Sequence, residues 1–327
     1  MNLHAFAALD PKTYVSHDLH GQGRAWVESN CYIDVWIEIL HGLELDPYAC
    51  LPHVLPVDFD GDQWTFFKPS HDDLFALYGL EVHELNVWRP LLENVLSQLS
   101  ARHLVLTEAD AFFLPDTAGT DYRQQHTKTT IGIQALDVEA RTLGYFHNSG
   151  YHLLRDADFA GVFALDLPPD PFRLPLFAEL VRLDRRTKRE ASDLTHESLR
   201  TLRNHLTRRP RANPITRFRQ RFGEDLAWMQ REGLAAFHAW AFATLRQLGA
   251  AFELGGLYVR WLESHGEAGL GTSADAFATI SACAKALILK TARSVSAKKP
   301  LDAAAALGDA EQAWDAGMSL LVQRYGG

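Results

Sequence analysis

Cysteine is scarce in this sequence: three in 327 residues, at Cys31, Cys50 and Cys283. So sparse and odd a count excludes a disulfide framework and fits a reducing compartment. No pair has CxxC spacing, which excludes a zinc ribbon. Long apolar runs are lacking too. Charges and prolines interrupt every stretch before the ~18 residues a membrane span requires, so no membrane association is expected. The N-terminal residues Met1 to Asp10 show neither a basic stretch nor an extended apolar core. No signal peptide is therefore expected, and a cytoplasmic location is. Tandem repeats, zinc fingers, RNP motifs and helix-turn-helix signatures are missing, which makes nucleic acid an unlikely partner.

What is present is an ordinary globular composition, 47% hydrophobic and 22% charged. The length suggests about two domains. Before about Leu165, helix, strand and turn signals mix. Ser29-Asn30 caps a helix from Cys31 to about Leu43, with Ile33, Trp36, Ile37 and Leu40 at helical spacing. Asp72 to Tyr78 and Pro90 to Ser100 read as further helices. Leu80 to Trp88, Leu104 to Leu106, Thr129 to Leu136 and Thr142 to Phe146 read as strands, the last two joined by a turn over Asp137 to Arg141. The proline-rich Leu167 to Pro171 marks a link. Beyond it, helices are expected over roughly 174–208, 215–248, 251–265, 272–295 and 301–324. The expected architecture is α+β: a mixed domain over 1–166 and an all-helical domain over 167–327.

The net charge is −9, but Arg182 to Arg221 carries 13 Lys and Arg against 4 Asp and Glu. Such a segment is either a solvated, ion-paired face or a surface for an acidic partner, with Arg185, Arg186, Arg208 and Arg209 as docking candidates.

Cys31 stands at the expected helix start, where free N–H groups and the helix dipole favour a thiolate. The competing reading is an inert, buried cysteine. His126 precedes one strand and Asn148 follows the next, so a hairpin would put both at one end. A histidine there could act as base and Asn148 could orient it. His147 rivals either role, and Asp116 and Asp137 rival the orienting acid. Oxyanion donors would be the Cys31 N–H with Gln22 or Asn30. Asp62, Trp64 and Phe66 could line a pocket, although core packing is the better explanation of the aromatics. No metal site is expected: His17-x-x-His20 lacks a third ligand, and Asp58-x-Asp60-Gly61-Asp62 departs from the calcium-loop pattern.

The stretches Arg24 to Tyr32, Gly61 to Lys68, His126 to Thr130 and Tyr145 to Asn148 resemble an uncharacterised bacterial family of domain-of-unknown-function type. More distantly, Cys31, Leu114-Pro115, His126 and the hairpin to Asn148 make the first half similar to the N-terminal domain of the butirosin biosynthesis acyltransferase. That resemblance implies a papain-like cysteine fold and acyl or aminoacyl transfer through a Cys31 thioester. The acyl group would come from a carrier-protein thioester, and a small molecule or protein would accept it. No cofactor is implied beyond phosphopantetheine on the partner. The alternatives are a papain-like peptidase or amidase, and a non-catalytic interaction protein on the same fold. The sequence departs from papain by lacking Gln six residues before the cysteine and the Gly-Ser-Cys-Trp pattern.

Overall fold

The computed structural model describes residues 2–165 and 176–326. The proline-rich link lies outside the described residues. The chain forms two compact units. The first comprises 1–24, 30–47 and 71–188; the second comprises 25–29, 48–70 and 189–327. The chain is thus mixed α+β, with an antiparallel sheet in the first unit and helices dominating the second.

In the first unit, helix α1 (Cys31–Gly42) is apolar on nearly every side: Ile33, Val35, Trp36, Ile37, Ile39 and Leu40 are all buried. Asn30 caps it, its side chain accepting from the Ile33 N–H at 3.3 Å. Asp34 closes the cap by accepting from the Asn30 N–H at 3.2 Å. The same unit holds α2 (His71–Tyr78), α3 (Leu91–Ser100) and α4 (Asp156–Val162). Its strands are β1 (Asn2–His4), β4 (Glu81–Leu85), β5 (Leu104–Asp110), β6 (Lys128–Asp137), β7 (Thr142–His147), β8 (Gly150–Arg155) and β9 (Ala178–Arg182). Between β1 and β4 in sequence, β2 (Phe59–Asp60) and β3 (Gln63–Trp64) make a small hairpin of the second unit.

The sheet runs β4-β9-β5-β6-β7-β8, with β1 also on β6, and every pairing is antiparallel. Helix α1 packs on β6 over Gly132, where a Cβ would sit 2.8 Å from the Ile39 side chain. Glycine there lets helix and strand approach closely. A bulge at Gln134 interrupts the β6–β7 register. The Gln134 amide is buried, so it needs partners: it accepts from the Tyr151 hydroxyl at 2.7 Å and donates to the Ala7 carbonyl at 3.0 Å.

Helix was expected from about 174, but Ala178–Arg182 is strand β9, lying between β4 and β5, and α5 (Ala191–Thr207) begins later. The run Ala-Glu-Leu-Val-Arg has strand alternation too short to stand out beside a long helical pattern. In the second unit, α6 (Pro214–Glu232) and α7 (Leu234–Ala241) are separated by Gly233 at φ 93°, a break the sequence reading passed over. Conversely, α8 (Gln247–Ser264) runs straight through Gly255-Gly256, although a glycine pair is a common helix breaker. There a Cβ on Gly256 would sit 3.3 Å from the Ala274 carbonyl of α9 (Gly271–Ala297), so close helix packing rather than a turn uses the glycine. Helix α9 is long and apolar enough to cross a membrane, contrary to the expectation that charges break every stretch. Its buried residues pack against α8 and α10 (Ala304–Tyr325), as a core helix does.

Two carboxylates lie inside this apolar setting. Asp34 and Glu38, one turn apart on α1, are buried. His20 lies between them, its Nδ1 2.5 Å from Glu38 and its Nε2 3.1 Å from Asp34, with 1% of its side chain exposed. Glu38 also accepts from the Tyr14 hydroxyl at 2.5 Å and the His17 N–H at 3.1 Å. Burial works against a charged imidazole, but the hydrogen bonds and charges of Asp34 and Glu38 outweigh it and push the His20 pKa up to about 9. A pKa above the unfolded value of 6.5 means this stabilisation is complete below pH 6.5 and is lost as pH rises through 9. Denaturant unfolding should show roughly 3 kcal/mol less stability at pH 9.5 than at pH 6 from this group. In His20→Gln that pH slope should flatten, and stability at pH 6 should drop by about 3–5 kcal/mol, because two buried carboxylates lose their cation.

Candidate functional site

Cys31 occupies the first turn of α1, partly exposed. Its N–H has no acceptor among the described residues, as the first amides of a helix lack intrahelical partners. Its Sγ lies 3.8 Å from the Thr130 hydroxyl on β6. Cross-strand partners in an antiparallel sheet point to the same face. Thr130 pairs with Glu108 and Lys128 pairs with Asp110, so all four side chains share the face on which α1 packs. Lys128 and Glu108 are joined by an ion pair of 2.9 Å.

His126 lies just before β6. Its Nδ1 is 2.5 Å from the Asp110 carboxylate, and its ring stacks on Phe112 at a centroid distance of 4.4 Å. With Nδ1–H committed to the acid, Nε2 is the free nitrogen of a ring that is 70% exposed. Asp110 is itself held in place by capping the Phe112 N–H at 3.0 Å. Thr130, beside Cys31, and Lys128, opposite Asp110, are two residues apart on β6, so Cys31 and the Asp110 that holds His126 lie on one face and toward one end of the sheet. No hydrogen bond joins Cys31 to His126 or Asn148 among the described residues.

Asn148 does not orient His126. It sits in the two-residue turn between β7 and β8 at φ 46°, a left-handed conformation that asparagine tolerates better than most residues. Asp110 holds the imidazole instead; sequence reasoning missed it because it ends a strand 16 residues upstream, and only the β5–β6 register brings it near. Asp137 is at the far end of β6, beside the turn to β7.

His147 has partners of its own. Its Nδ1 is 2.5 Å from Asp116 and its Nε2 2.8 Å from the Thr129 hydroxyl; His147 and Thr129 are buried and the Asp116 side chain nearly so. Asp116 also accepts a hydrogen bond from Tyr145. Burial opposes the charged carboxyl, yet the His147 contacts hold Asp116 below the usual carboxylate range. Burial and Asp116 push the Tyr145 phenol upward. Strand alternation turns Tyr145 and His147 away from Phe146, whose partner Gly132 faces α1. The sheet thus separates His147 from Cys31, and this Asp-His-Thr network cannot serve the thiol.

A second histidine–carboxylate pair lies on the α1 face. Glu179 on β9 is buried, accepting from the Tyr32 hydroxyl at 2.7 Å and approached by His71 Nε2 at 3.0 Å. Burial and Glu179 hold the Tyr32 phenol above its usual range. Neither His71 nor Glu179 had a motif to mark it.

The remaining candidates are dispersed. Asn30 spends its side-chain oxygen on the helix cap, while Gln22 is exposed. Trp64 is buried against Phe59 and Phe218 in the second unit, Phe66 is exposed there, and Asp62 borders a cleft described below. Much of the basic segment is neutralised internally: Arg182 and Arg185 contact Glu81, Lys188 Glu44, Arg200 Glu197, Arg217 Asp58 and Arg219 Glu311. Arg209 donates to the Leu206 carbonyl at 2.7 Å. The guanidinium groups of Arg186 and Arg208 have no hydrogen-bond or ion-pair partner among the described residues. Arg185 and Arg186 belong to the first unit, Arg208 and Arg209 to the second.

Two family models match this chain. The DUF1839 N-terminal domain covers residues 15–183, and the DUF1839 C-terminal domain covers residues 191–323. A comparison with curated proteins finds no match.

The three thiols differ in setting, and that difference is measurable. Cys50 is fully buried, and burial together with Asp309 pushes the Cys283 thiol up to about 11. At neutral pH the native protein should take one equivalent of iodoacetamide at Cys31 well before the others, read by peptide mass spectrometry. Asp116→Asn should lower stability by about 3 kcal/mol, since it takes a carboxylate acceptor away from the buried His147 ring and the Tyr145 hydroxyl, yet leave the Cys31 labelling rate unchanged.

Proposed function

The chain belongs to the DUF1839 family, and we propose that it is a cysteine-dependent acyltransferase of papain-like architecture. The observation that carries this reading is Cys31 at the first position of α1, on the sheet face that also bears the Asp110-held His126. A thiol at a helix N-terminus is stabilised as thiolate by the helix dipole and unpaired N–H groups. A histidine with one nitrogen fixed by a carboxylate and the other open is the form a general base takes. Catalytic hydrogen bonds often tighten only when substrate binds, so the missing Cys31–His126 bond is compatible with the role.

In this reading His126 Nε2 removes the Cys31 proton and Sγ attacks the carbonyl carbon of the donor. The tetrahedral oxyanion draws on the unpartnered Cys31 N–H. The leaving group departs with the proton from His126, and the acyl group remains as a Cys31 thioester. An acceptor then attacks the thioester, His126 takes its proton, and the Cys31 thiolate is released. A thioester donor suits this exchange, because one thioester replaces another without a steep energetic step. A carrier-protein thioester is the donor we favour, bearing its own phosphopantetheine and docking through basic residues of the first unit such as Arg186. The hydrolase alternative differs only in using water as acceptor. A non-catalytic interaction protein would need no activated thiol.

The test is intact-mass analysis after mixing the protein with acetyl-, aminoacyl- and longer acyl-pantetheine thioesters. A single acyl adduct should form, vanish in Cys31→Ser, and form at least about 100-fold more slowly in His126→Ala and Asp110→Asn. His71→Ala should leave the rate unchanged. Adduct formation that is equal in wild type and His126→Ala, or slowed only in His71→Ala, would remove His126 as the base. Added amines that discharge the adduct faster than water would mark a transferase; discharge at one rate regardless of amine would mark a hydrolase.

A further inference from the structure

Within the second unit, one side of α6 presents a stripe that no packing requirement explains. Arg221, Glu224, Asp225, Trp228 and Arg231 recur at helical spacing and line a cleft of about 520 Å³, which Asp62 and Trp240 complete. That volume lies in the range of small-molecule sites. Trp228 is 42% exposed, a costly position for the largest apolar side chain, and its indole N–H has no protein partner among the described residues.

The floor of the cleft is rigid. Asp225 is buried, accepting from Arg221 Nε at 2.9 Å and Trp240 Nε1 at 3.0 Å, so both carboxylate oxygens are occupied. Asp225 in turn fixes the Arg221 guanidinium, whose terminal nitrogens have no partner among the described residues. Around the rim, Glu224 and Asp62 are exposed carboxylates without side-chain partners among the described residues, and Arg231 makes one contact of 3.3 Å with the Ala227 carbonyl. With Arg221 and Asp225 cancelling, one cation faces two anions. An anionic ligand would meet net repulsion. An organic cation would meet two guanidinium edges directed into the same space. A neutral ligand with hydroxyls that both donate and accept, and with one apolar face, matches donors, acceptors and indole together.

We infer that this cleft binds a saccharide ring, stacked by its C–H face on Trp228 and hydrogen-bonded through its hydroxyls to Glu224, Asp62 and the guanidinium edges of Arg221 and Arg231. The site is independent of Cys31 and of the acyl-transfer reading.

Saturation-transfer NMR on the full chain tests it, with methyl glucoside, methyl galactoside, methyl mannoside and N-acetylglucosamine as probes. At least one probe should receive saturation, strongest on the ring C–H protons of one face. Its affinity should fall about tenfold in Trp228→Ala and in Glu224→Gln, and be unchanged in Cys31→Ser. Both substituted side chains are exposed, so melting temperatures should match wild type, and the loss can be read as lost contact. No saturation with any of the four probes, or equal saturation in wild type and Trp228→Ala, would overturn the proposal. So would displacement of the sugar by tetramethylammonium, which would mark a cation site instead.

Discussion

The first unit is organised around a buried imidazole. Helix α1 is enclosed on almost every side, so its two carboxylates, Asp34 and Glu38, cannot be solvated by water and must be matched from within. His20 matches both at once, one ring nitrogen for each. Asp34 then has an oxygen left to receive the Asn30 N–H, and Asn30 caps the helix through Ile33. The position of Cys31 follows from this chain of contacts. The residue that begins the helix is held by the residue that caps it, and the cap is held by the carboxylate that His20 neutralises. A cysteine at a frayed helix end would present its thiol in many directions; here the start of α1 is fixed in turn by Asn30, Asp34 and His20.

The sheet provides the other half of the arrangement through parity. Side chains alternate along a strand, so the two histidines near the hairpin are assigned to different chemistry by their register alone. Thr130, Lys128, Glu108 and Asp110 face α1; Tyr145 and His147 face away. His147, the better-packed histidine, is committed to Asp116 and Thr129 in a network that is saturated and enclosed. His126 is the opposite case: exposed, held by one nitrogen, and open at the other. A structural histidine has no donor or acceptor to spare, whereas a base needs one.

Local signals were legible in the sequence where they were self-contained. The Asn30 cap, the span of α1, the β6–β7 hairpin and helices α2 and α3 can be read from caps, spacing and turns, because neighbouring residues determine them. The change from a mixed half to a helical half is visible for the same reason. What could not be read depends on distant pairing. β9 is five residues long and exists because β4 and β5 flank it. Asp110 reaches His126 only across a strand register, and Glu179 meets Tyr32 from 147 residues away. Asn148 illustrates the converse error: its position at the end of a hairpin suggested chemistry, while its backbone conformation shows that the turn requires it. The basic segment likewise looked like a single surface, but most of its charges are answered by acids from elsewhere in the chain.

The two units also use polar residues differently. In the first, buried charges are matched one to one and serve to hold a helix and its cysteine in place. In the second, the matched pair Arg221–Asp225 lies beneath a rim of unmatched groups beside an exposed indole. Unmatched charges in contact with water cost little, so they need no partner to persist. Their meaning comes from company: carboxylates, guanidinium edges and an apolar ring face converge on one cleft above the buried Asp225. A scattered charged surface on α6 would place the same residue types around the helix; here those lining the cleft, from Arg221 to Arg231, share one side of it over eleven residues. That concentration on one face, above a saturated floor, distinguishes a recognition surface from a solvated one.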